Sequence, residues 1–589
     1  MNKILERKKT HFTFSITHHG SSIAHYVVIT LPIILLWLLY GVVIQYGWWT
    51  GDDTAILYST VKNGILKHFY YPQIWRTLSA TNLTPWVNLS FGLDWHLFGF
   101  HAKGFYIHQL ISFSFVLIFC YLAISEFLPP VLTLVVLILF ITSRPAACFA
   151  GFLWVRHYLE GLGLAALSFW LFIKSVKTKK IWISILGSFF YCLAMTAKEL
   201  YVPLVVLLLF LPFKTTGQKR DYNRFQLIIP YIISAVIYVI WRLYMLGLHS
   251  ALAADIPETA FCFKSIFKAL KVSLLGFSHA MDWAPYETGV LAILLLGLGI
   301  RYFKQYPQKL PFFILWMVLI ITPLLPVVNF LRGNPVSLDN LRILIVCVMS
   351  FYIVWGVILK EILSLQKGTL IASIVFCFLI SVNIHSLMAC NYRRQVIDVY
   401  KAHKITGSFI LSNKKESILV NLPTSSWFYV FLKKLAVITN QISKEESTPK
   451  ICGDICLCLK YINSQTKQDI TWWEYKEGKI VPIDINKVKT CIIYENKPLW
   501  VRITYKNGII KWELGPYDKG SYFFLGSQQN LPTQAYGLPA RGIAHVFLKQ
   551  SLYFWVRYDS PEGWRTYSSF LHLKPINGQA RIYWQRRQH

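Results

Sequence analysis

The sequence predicts a polytopic α-helical membrane protein with about eleven transmembrane helices, followed by a β-rich α+β domain. Of the 589 residues, 55% are hydrophobic and only 15% are charged, and the mean hydropathy is +0.44, which is too apolar for a soluble multidomain protein. The apolar residues come in blocks near the ~20 residues that a helix needs to cross a bilayer core. After residue 389 these blocks stop and short alternating runs take their place.

Block length and flanking charge predict the individual spans. We expect helices at about 24 to 47, 104 to 127, 131 to 149, 152 to 173, 181 to 197, 200 to 213, 226 to 247, 286 to 302, 311 to 328, 341 to 360 and 368 to 388. The segment 181 to 213 gives each of its two helices fewer residues than usual, so these helices are expected to be short, tilted or partly re-entrant. With the N-terminus inside, an odd number of spans puts everything after Cys390 on the outer face.

The excess of positive charge indicates membrane lipids as a partner and not nucleic acid. The formal net charge is +31, from 59 Lys and Arg against 28 Asp and Glu. Much of it lies in short clusters between apolar blocks, as expected of cytoplasmic loops beside anionic headgroups. These clusters are Lys3 to Lys9, Lys174 to Lys180, Lys214 to Arg224, Arg301 to Lys309 and Lys360 to Lys367. The first span lacks an obvious cleavage site, so we expect it to be retained.

The predicted organisation is a membrane domain over residues 1 to 389, with a first outer loop at 48 to 103, and an outer domain over residues 390 to 589. In the outer domain, "SILVNLP" and "SSWFYVFLKKLAVI" predict a strand and then a helix, and runs such as "LWVRITY" and "LYFWVRY" predict later strands. Its four cysteines, Cys452, Cys456, Cys458 and Cys491, have three possible pairings in an oxidising compartment.

Ionisable residues near the outer ends of spans are the candidates for chemistry, because charge at membrane depth is costly. The set is Asp52, Asp53, Asp94, His96, His108, Arg156, Glu160, Lys198, Glu199, Asp282, Arg332 and Arg342. Carboxylates combined with cations suit the transfer of a sugar from a lipid phosphate. A carboxylate takes the proton of the acceptor hydroxyl, and cations stabilise the charge on the departing phosphate.

Several motifs, taken in order, resemble the GT-C glycosyltransferases, in particular the bacterial branch related to protein O-mannosyltransferases and the lipid A aminoarabinose transferase. The motifs are "DDTAILYSTVKNGI", "NLTPWVNLSFGLDWHLFGFHAKGFYIHQLI", "WVRHYLEGL", "AKELYVPL" and "NLRILIVCV". The resemblance spans about Gly47 to Met349 and implies a GT-C-like fold, a polyprenyl-phosphate sugar as donor and a carboxylate of the first outer loop as base.

The resemblance also implies roles for single residues. Asp53 or Asp52 would be the catalytic base, and Asp94 matches the acidic residue of "LD..LFG". Donor binding would fall to three further positions, of which Lys198 and Glu199 match a "KE" pair. The third, Arg342, takes the place of the Arg in an "RYL" motif, although Ile343 replaces the tyrosine. Arg156 is a further candidate for the donor phosphate.

Each candidate also has a structural interpretation. Asp52 suits the N-cap of the following helix, which favours Asp53 as the base. Arg156 and Glu160, four residues apart, fit an intrahelical ion pair. Lys198 with Glu199 fits an interfacial turn.

We therefore expect a glycosyltransferase of the bacterial inner membrane with a cytoplasmic N-terminus and a periplasmic C-terminal domain. Its partners would be a polyprenyl-phosphate-linked sugar, membrane lipids and a glycan, lipid or protein acceptor, with inversion at the anomeric carbon. The residues that bind the acceptor are not predicted. A divalent metal ion stays open as a cofactor, since oligosaccharyltransferase-like members use one and O-mannosyltransferase-like members need not. The alternatives are a transporter or flippase of lipid-linked saccharides and a non-catalytic membrane scaffold.

Overall fold

A computed structural model of the chain describes residues 21–79, 82–211, 222–247, 263–275, 285–325, 338–389, 391–412, 417–423, 426–463, 470–483, 497–506, 509–528, 531–533, 535–545, 551–576 and 579–586. Asp282, Arg332 and Cys491 lie outside these residues. The α-helices are Ser21–Tyr40, Val42–Tyr46, Asp53–Asn63, Lys67–Tyr70, Pro72–Leu78, Trp86–Phe98, Ala102–Ile124, Pro130–Ile141, Arg144–Gly151, Arg156–Thr178, Ile181–Ala197, Leu204–Phe210, Tyr222–Leu246, Phe263–Leu275, Pro285–Gln305, Leu310–Leu324, Ile345–Leu363, Gly368–Ala389, Val399–Leu411, Ser426–Ile438 and Ile455–Asn463.

The first part of the chain is a bundle of apolar helices. Six helices among the described residues are long and apolar enough to cross a membrane, and a seventh span results if one bent pair counts as a single crossing. The six spans are Val28–Tyr46, Ala102–Ile124, Leu153–Thr178, Phe225–Leu246, Leu338–Leu363 and Gly368–Leu411. The helical membrane class is therefore confirmed, whereas the count of eleven is not.

The span predicted at 131 to 149 is two helices. Pro130–Ile141 and Arg144–Gly151 meet at a bend of 64°. Ser143 lies in the extended region at the N-cap of the second helix and accepts the backbone N–H of Ala146, and Pro145 occupies its first turn. A cap and a proline both start a new helix, so hydropathy alone could not reveal the break.

Large apolar side chains cover the outside of the bundle. On Phe225–Leu246, Ile233, Ile237 and Ile240 are each more than half exposed, and Leu38 of the first helix is 77% exposed. The opposite side of the first helix packs into the main core of the bundle, and that of Phe225–Leu246 packs into a second core with Phe172 and Tyr191. Exposed aliphatic side chains on these two helices are what contact with lipid requires.

The C-terminal part contains fourteen strands among the described residues, which confirms the predicted β-rich α+β region. They are β1 Ser417–Val420, β2 Lys450–Ile451, β3 Thr471–Lys476, β4 Lys479–Pro482, β5 Leu499–Lys506, β6 Ile509–Gly515, β7 Ser521–Gln528, β8 Leu531–Pro532, β9 Tyr536–Leu538, β10 Arg541–His545, β11 Leu552–Asp559, β12 Arg565–Tyr567, β13 Leu571–Leu573 and β14 Gln579–Arg586.

The first sheet has the order β2-β1-β3-β4, and β1 is parallel to both β2 and β3. The strand and helix predicted from "SILVNLP" and "SSWFYVFLKKLAVI" are β1 and Ser426–Ile438. All four residues of β1 are buried, as expected of a short apolar strand at the centre of a parallel sheet.

The remaining strands form two antiparallel sheets. One has the order β10-β6-β5-β14, and the other has the order β12-β11-β7-β8 with β13 and β9 paired at its side. Val501 and Tyr505 of β5 share a buried core with Phe554 of β11 and Leu573 of β13. This arrangement is a β-sandwich, and the alternating burial of β5 follows from one face packing inward.

A buried ion pair joins the two parts of the C-terminal region, next to a local disulfide. Cys452 and Cys458 are bonded, and Cys456 is disulfide-bonded as well. Between them, Asp454 accepts the N–H of Leu457 and pairs with Arg557 of β11 at 2.7 Å. The carboxylate thus caps Ile455–Asn463 and ties that helix to the sandwich.

The C-terminal region packs against the loop over residues 48 to 103. Helix Ser426–Ile438 lies on helix Asp53–Asn63, where the Thr54 hydroxyl donates to the carbonyl of Phe428 at 2.9 Å. The rings of Tyr58 and Phe431 are 5.7 Å apart at this contact. The loop that carries the two acidic residues is therefore held from both sides, by the bundle and by the outer region.

Candidate functional site

The acidic pair follows a tight turn that depends on glycine. Gly51 has φ +49, in the left-handed region. A Cβ at this position would meet the indole nitrogen of Trp154 at 2.8 Å. Glycine is the residue that allows both the conformation and the close approach. The turn therefore places Asp52 and Asp53 beside the segment that leads into helix Arg156–Thr178.

Asp53 is the first residue of helix Asp53–Asn63 and is fully buried. One carboxyl oxygen accepts the N–H of Thr50 at 2.7 Å, while Oδ1 has no hydrogen-bond partner among the described residues. Burial raises the pKa of Asp53 well above its usual range, against the opposing effects of the Thr50 N–H and the Arg156 guanidinium. Burial favours the neutral form of a carboxyl group when one of its oxygens accepts no hydrogen bond.

Asp52 is exposed and occupies the N-cap position of this helix, but it does not cap the helix. Its backbone is right-handed helical, and its side chain makes no cap hydrogen bond. Desolvation raises the pKa of its carboxyl, Arg342 opposes this rise and Asp339 adds to it. The preference for Asp53 as base rested on Asp52 serving as the cap, and the structure removes that reason.

Arg342 faces the acidic turn from a distant part of the chain. It lies in the 3₁₀ helix Leu338–Leu344, and its guanidinium is 4.6 Å from the centre of the Trp154 ring. The Nη1 group donates to the carbonyl of Asp339 at 2.7 Å. The side chain is 23% exposed, so it keeps donors toward solvent.

Asp94 and Arg156 form a buried ion pair with each other. Both side chains are 0% exposed. Arg156 also donates to Gln109 at 2.6 Å and to the carbonyl of Phe105 at 2.7 Å, and His108 lies 2.6 Å from the other oxygen of Asp94. This network joins helix Trp86–Phe98 to the two spans behind it.

Glu160 takes no part in the intrahelical pair with Arg156 considered from the spacing. Its carboxylate accepts the indole N–H of Trp86 at 2.7 Å and the Ser90 hydroxyl at 3.0 Å. Arg156 reaches across to Asp94 instead. Both side chains therefore fix the first outer loop to the bundle.

Lys198 and Glu199 lie together, one residue beyond helix Ile181–Ala197. The Lys198 ammonium is 3.5 Å from Glu199 Oε2, 3.1 Å from Asn82 Oδ1 and 5.0 Å from the centre of the Tyr158 ring. Glu199 also pairs with Arg242. The turn thus links the first outer loop to span Phe225–Leu246.

His157 is a site residue that the sequence did not single out. It is buried, its ring lies 4.6 Å from that of Tyr158, and its Nδ1 has no hydrogen-bond partner among the described residues. The charges that act on it come from Lys198 and Arg342. His157, together with Trp154, connects the acidic turn to Lys198, and only the motif "WVRHYLEGL" pointed to this segment.

The predicted residues thus fall into two groups. Asp52, Asp53, Arg342 and Lys198 surround the Trp154–Tyr158 segment. Asp94 and Arg156, which belongs to this segment, form a separate and fully buried ion pair. In the part of the chain that the structure describes, no three His, Cys, Asp or Glu side chains come together as a set that could hold a metal ion.

Comparison with known proteins finds similarity among solved structures. No protein-family model and no curated protein match the chain. Among solved structures, it is similar to that of ArnT from Cupriavidus metallidurans bound to undecaprenyl phosphate. The alignment has a TM-score of 0.37 and 10% identity, and it covers 77% of this chain and 93% of that chain. Similarity at this level supports no transfer of activity, so function has to be argued from the side chains of this chain.

Proposed function

We propose that the protein is a membrane glycosyltransferase that moves a sugar from a polyprenyl-phosphate donor to an acceptor hydroxyl at the outer face of the inner membrane. The observation that carries the proposal is the exposed carboxylate of Asp52 near the guanidinium of Arg342, in the loop that follows the first span. The acceptor O–H attacks the anomeric carbon, its proton passes to the carboxylate, and the bond to the phosphate oxygen breaks. A single displacement of this kind inverts the anomeric carbon.

Asp52 is the better of the two acids for the role of base. A general base has to be ionised and within reach of the hydroxyl. Asp52 is exposed and can be reached by a hydroxyl. Desolvation raises the pKa of its carboxyl, which suits a proton acceptor, and Arg342 opposes that rise. Asp53 is fully buried with a raised pKa, which suits a positioning residue that holds the turn through Thr50.

Arg342 and Lys198 are the cations that suit the departing phosphate. Both act electrostatically on His157, so they flank the same segment. Each keeps part of its side chain exposed, 23% for Arg342 and 15% for Lys198. Arg156 is fully buried and already bonded to four partners, which leaves it a supporting role.

The disulfides support an outer location for the C-terminal region. Cys452 is bonded to Cys458, and Cys456 is also disulfide-bonded. Disulfides persist in the periplasm and not in the bacterial cytoplasm. The acidic turn contacts this region through helix Ser426–Ile438, so it belongs to the same side of the membrane.

The test is single-turnover sugar transfer by the purified full chain from a panel of polyprenyl-phosphate sugars, with release of polyprenyl phosphate as the readout. We expect Asp52→Asn to lower turnover by ~10²–10⁴-fold, the usual contribution of a general base, with donor affinity retained. Glu477→Gln, an exposed carboxylate in the β3–β4 turn, is the matched control and should leave turnover unchanged.

Each other outcome has a defined meaning. Loss of turnover in Asp53→Asn with normal turnover in Asp52→Asn would move the base to Asp53. Normal turnover in both variants would refute the proposed base. If no donor of the panel is consumed while a lipid-linked saccharide crosses reconstituted vesicles, the protein is a transporter instead.

A further inference from the structure

One face of the sandwich points away from its core. In the sheet β10-β6-β5-β14, the residues of β5 alternate, so that Val501 and Ile503 are buried while Arg502 and Thr504 are exposed. Residues that pair with Arg502 on the neighbouring strands lie on the same face of the sheet. Arg502 lies opposite Tyr583 of β14 on one side and Glu513 of β6 on the other.

This face, which we call the basic sheet face, carries an excess of positive charge. Its charged residues are Arg502, Lys506, Lys511, Glu513, Arg541 and Arg581. Five cations against one carboxylate give a net charge of +4. Glu513 lies between Arg502 at 3.7 Å and Arg541 at 3.9 Å, and at these distances exposed pairs are weak. The cations therefore remain available to a partner.

Aromatic rings are interleaved with these cations. The guanidinium of Arg502 lies 5.2 Å from the ring centre of Trp500 and 5.3 Å from that of Tyr583. The Trp500 ring lies over Gly515, where a Cβ would come within 2.3 Å of it. Tyr583 is 63% exposed. An open tyrosine ring on a flat, ordered sheet is a stacking surface and not a core residue.

We propose that the basic sheet face binds an anionic polysaccharide, with its acidic groups on the cations and a sugar ring on Tyr583. Guanidinium groups bind carboxylate and phosphate with directed hydrogen bonds, and Arg502 is already oriented by two rings. Four strands about 4.8 Å apart give a flat surface on which an extended chain can lie. The proposal concerns binding alone and holds whether or not the protein transfers a sugar.

An anionic lipid surface shares the charge of such a polysaccharide, and stacking separates the two. The affinity for a layer of lipid headgroups depends on the summed charge of the face. A sugar ring gains in addition from an aromatic face. Loss of the Tyr583 ring, with every charge retained, should therefore weaken a polysaccharide and leave a lipid surface bound.

The experiment measures binding of fluorescent polygalacturonate to the purified full chain in detergent, with neutral dextran of equal length as the second probe. We expect Arg502→Gln with Arg581→Gln to weaken binding of polygalacturonate at least tenfold, and Tyr583→Ala to weaken it about fivefold. Lys476→Gln with Lys479→Gln, which removes the same charge from the exposed β3–β4 hairpin, should change it less than twofold.

Three results would overturn the proposal. Equal losses in the test pair and in the control pair would mean that the overall charge of +31 attracts the polymer. An unchanged affinity in Tyr583→Ala, together with tight binding of phosphatidylglycerol vesicles that depends on Arg502 and Arg581, would identify a lipid-binding face. Equal binding of dextran would remove the role of charge. Far-ultraviolet circular dichroism of each variant checks that the sandwich is folded.

Discussion

Replacing Arg156 with methionine tests whether this residue holds the helices together or binds the donor. Asp94, whose side chain is 0% exposed, would keep the His108 ring at 2.6 Å as a partner but would lose the Arg156 charge. Breaking a buried ion pair by removing one partner costs about 3–5 kcal/mol. The stranded acceptors, Gln109 Oε1 and the carbonyl of Phe105, add to this cost, so we expect the upper end of the range.

The assay is the thermal unfolding midpoint of the purified protein in detergent. A loss of this size should lower the midpoint by more than about 5 °C. Lys177→Met is the matched control, since Lys177 pairs with Glu126 at the surface with 52% of its side chain exposed. Exposed pairs contribute about 0–1 kcal/mol, so this midpoint should hardly change. Adding Asp94→Asn to Arg156→Met should recover part of the loss, because the uncompensated charge is then removed.

The opposite pattern would refute this account of Arg156. If Arg156→Met unfolds at the same temperature as the parent protein and donor affinity falls instead, the network is not what joins the helices. Arg156 would then be a donor-binding residue, as the sequence suggested.

Two further predictions concern the dependence of stability on pH. The pKa of Asp53 is raised in the folded protein. The free energy of unfolding therefore decreases as pH rises from the unfolded pKa of about 4 to the folded pKa, because the folded protein binds the extra proton over this interval. We expect Asp53→Asn to raise the unfolding midpoint at pH 7 and to flatten that decline, and an equally steep decline in the variant would contradict the assignment. Burial lowers the pKa of Lys433, whose ammonium donates to the carbonyl of Pro449 at 3.0 Å, to about 8. The unfolded chain then binds the extra proton between pH 8 and about 10.5, so stability rises with pH over that interval, and Lys433→Met should abolish the rise in midpoint.

Local patterns predicted the elements well. The helix predicted from "SSWFYVFLKKLAVI" begins at Ser426 in the structure. The alternation in "LWVRITY" is matched by the alternating burial of β5. Both signals are carried by neighbours in the chain, which is where propensity and periodicity operate.

The partners of the charged residues could not be predicted in this way. The four-residue spacing predicted an ion pair between Arg156 and Glu160. In the structure Arg156 pairs with Asp94, which is 62 residues away. Cap preference assigned Asp52 to the helix end, yet the Asp53 carboxyl accepts the Thr50 N–H. For Arg156 a tertiary contact decides, and one sequence carries no direct signal of that contact. For the acidic pair, two neighbouring carboxyls offer local alternatives of similar energy, and cap preference does not separate them.

Helix Ser426–Ile438 couples the C-terminal region directly to the acidic turn. Thr54, one residue after the buried carboxyl, is bonded to the carbonyl of Phe428, and the His403 ring lies 4.8 Å from that of Phe428 and 3.3 Å from the carbonyl of Trp49. No flexible tether separates the two at this contact, so a displacement of the helix by a residue's width would shift the turn by a similar amount. A polymer bound to the C-terminal region would therefore act on the same contacts that position Asp52. A chain truncated after Ala389 would lose the contacts that Phe428 and His403 make with the turn.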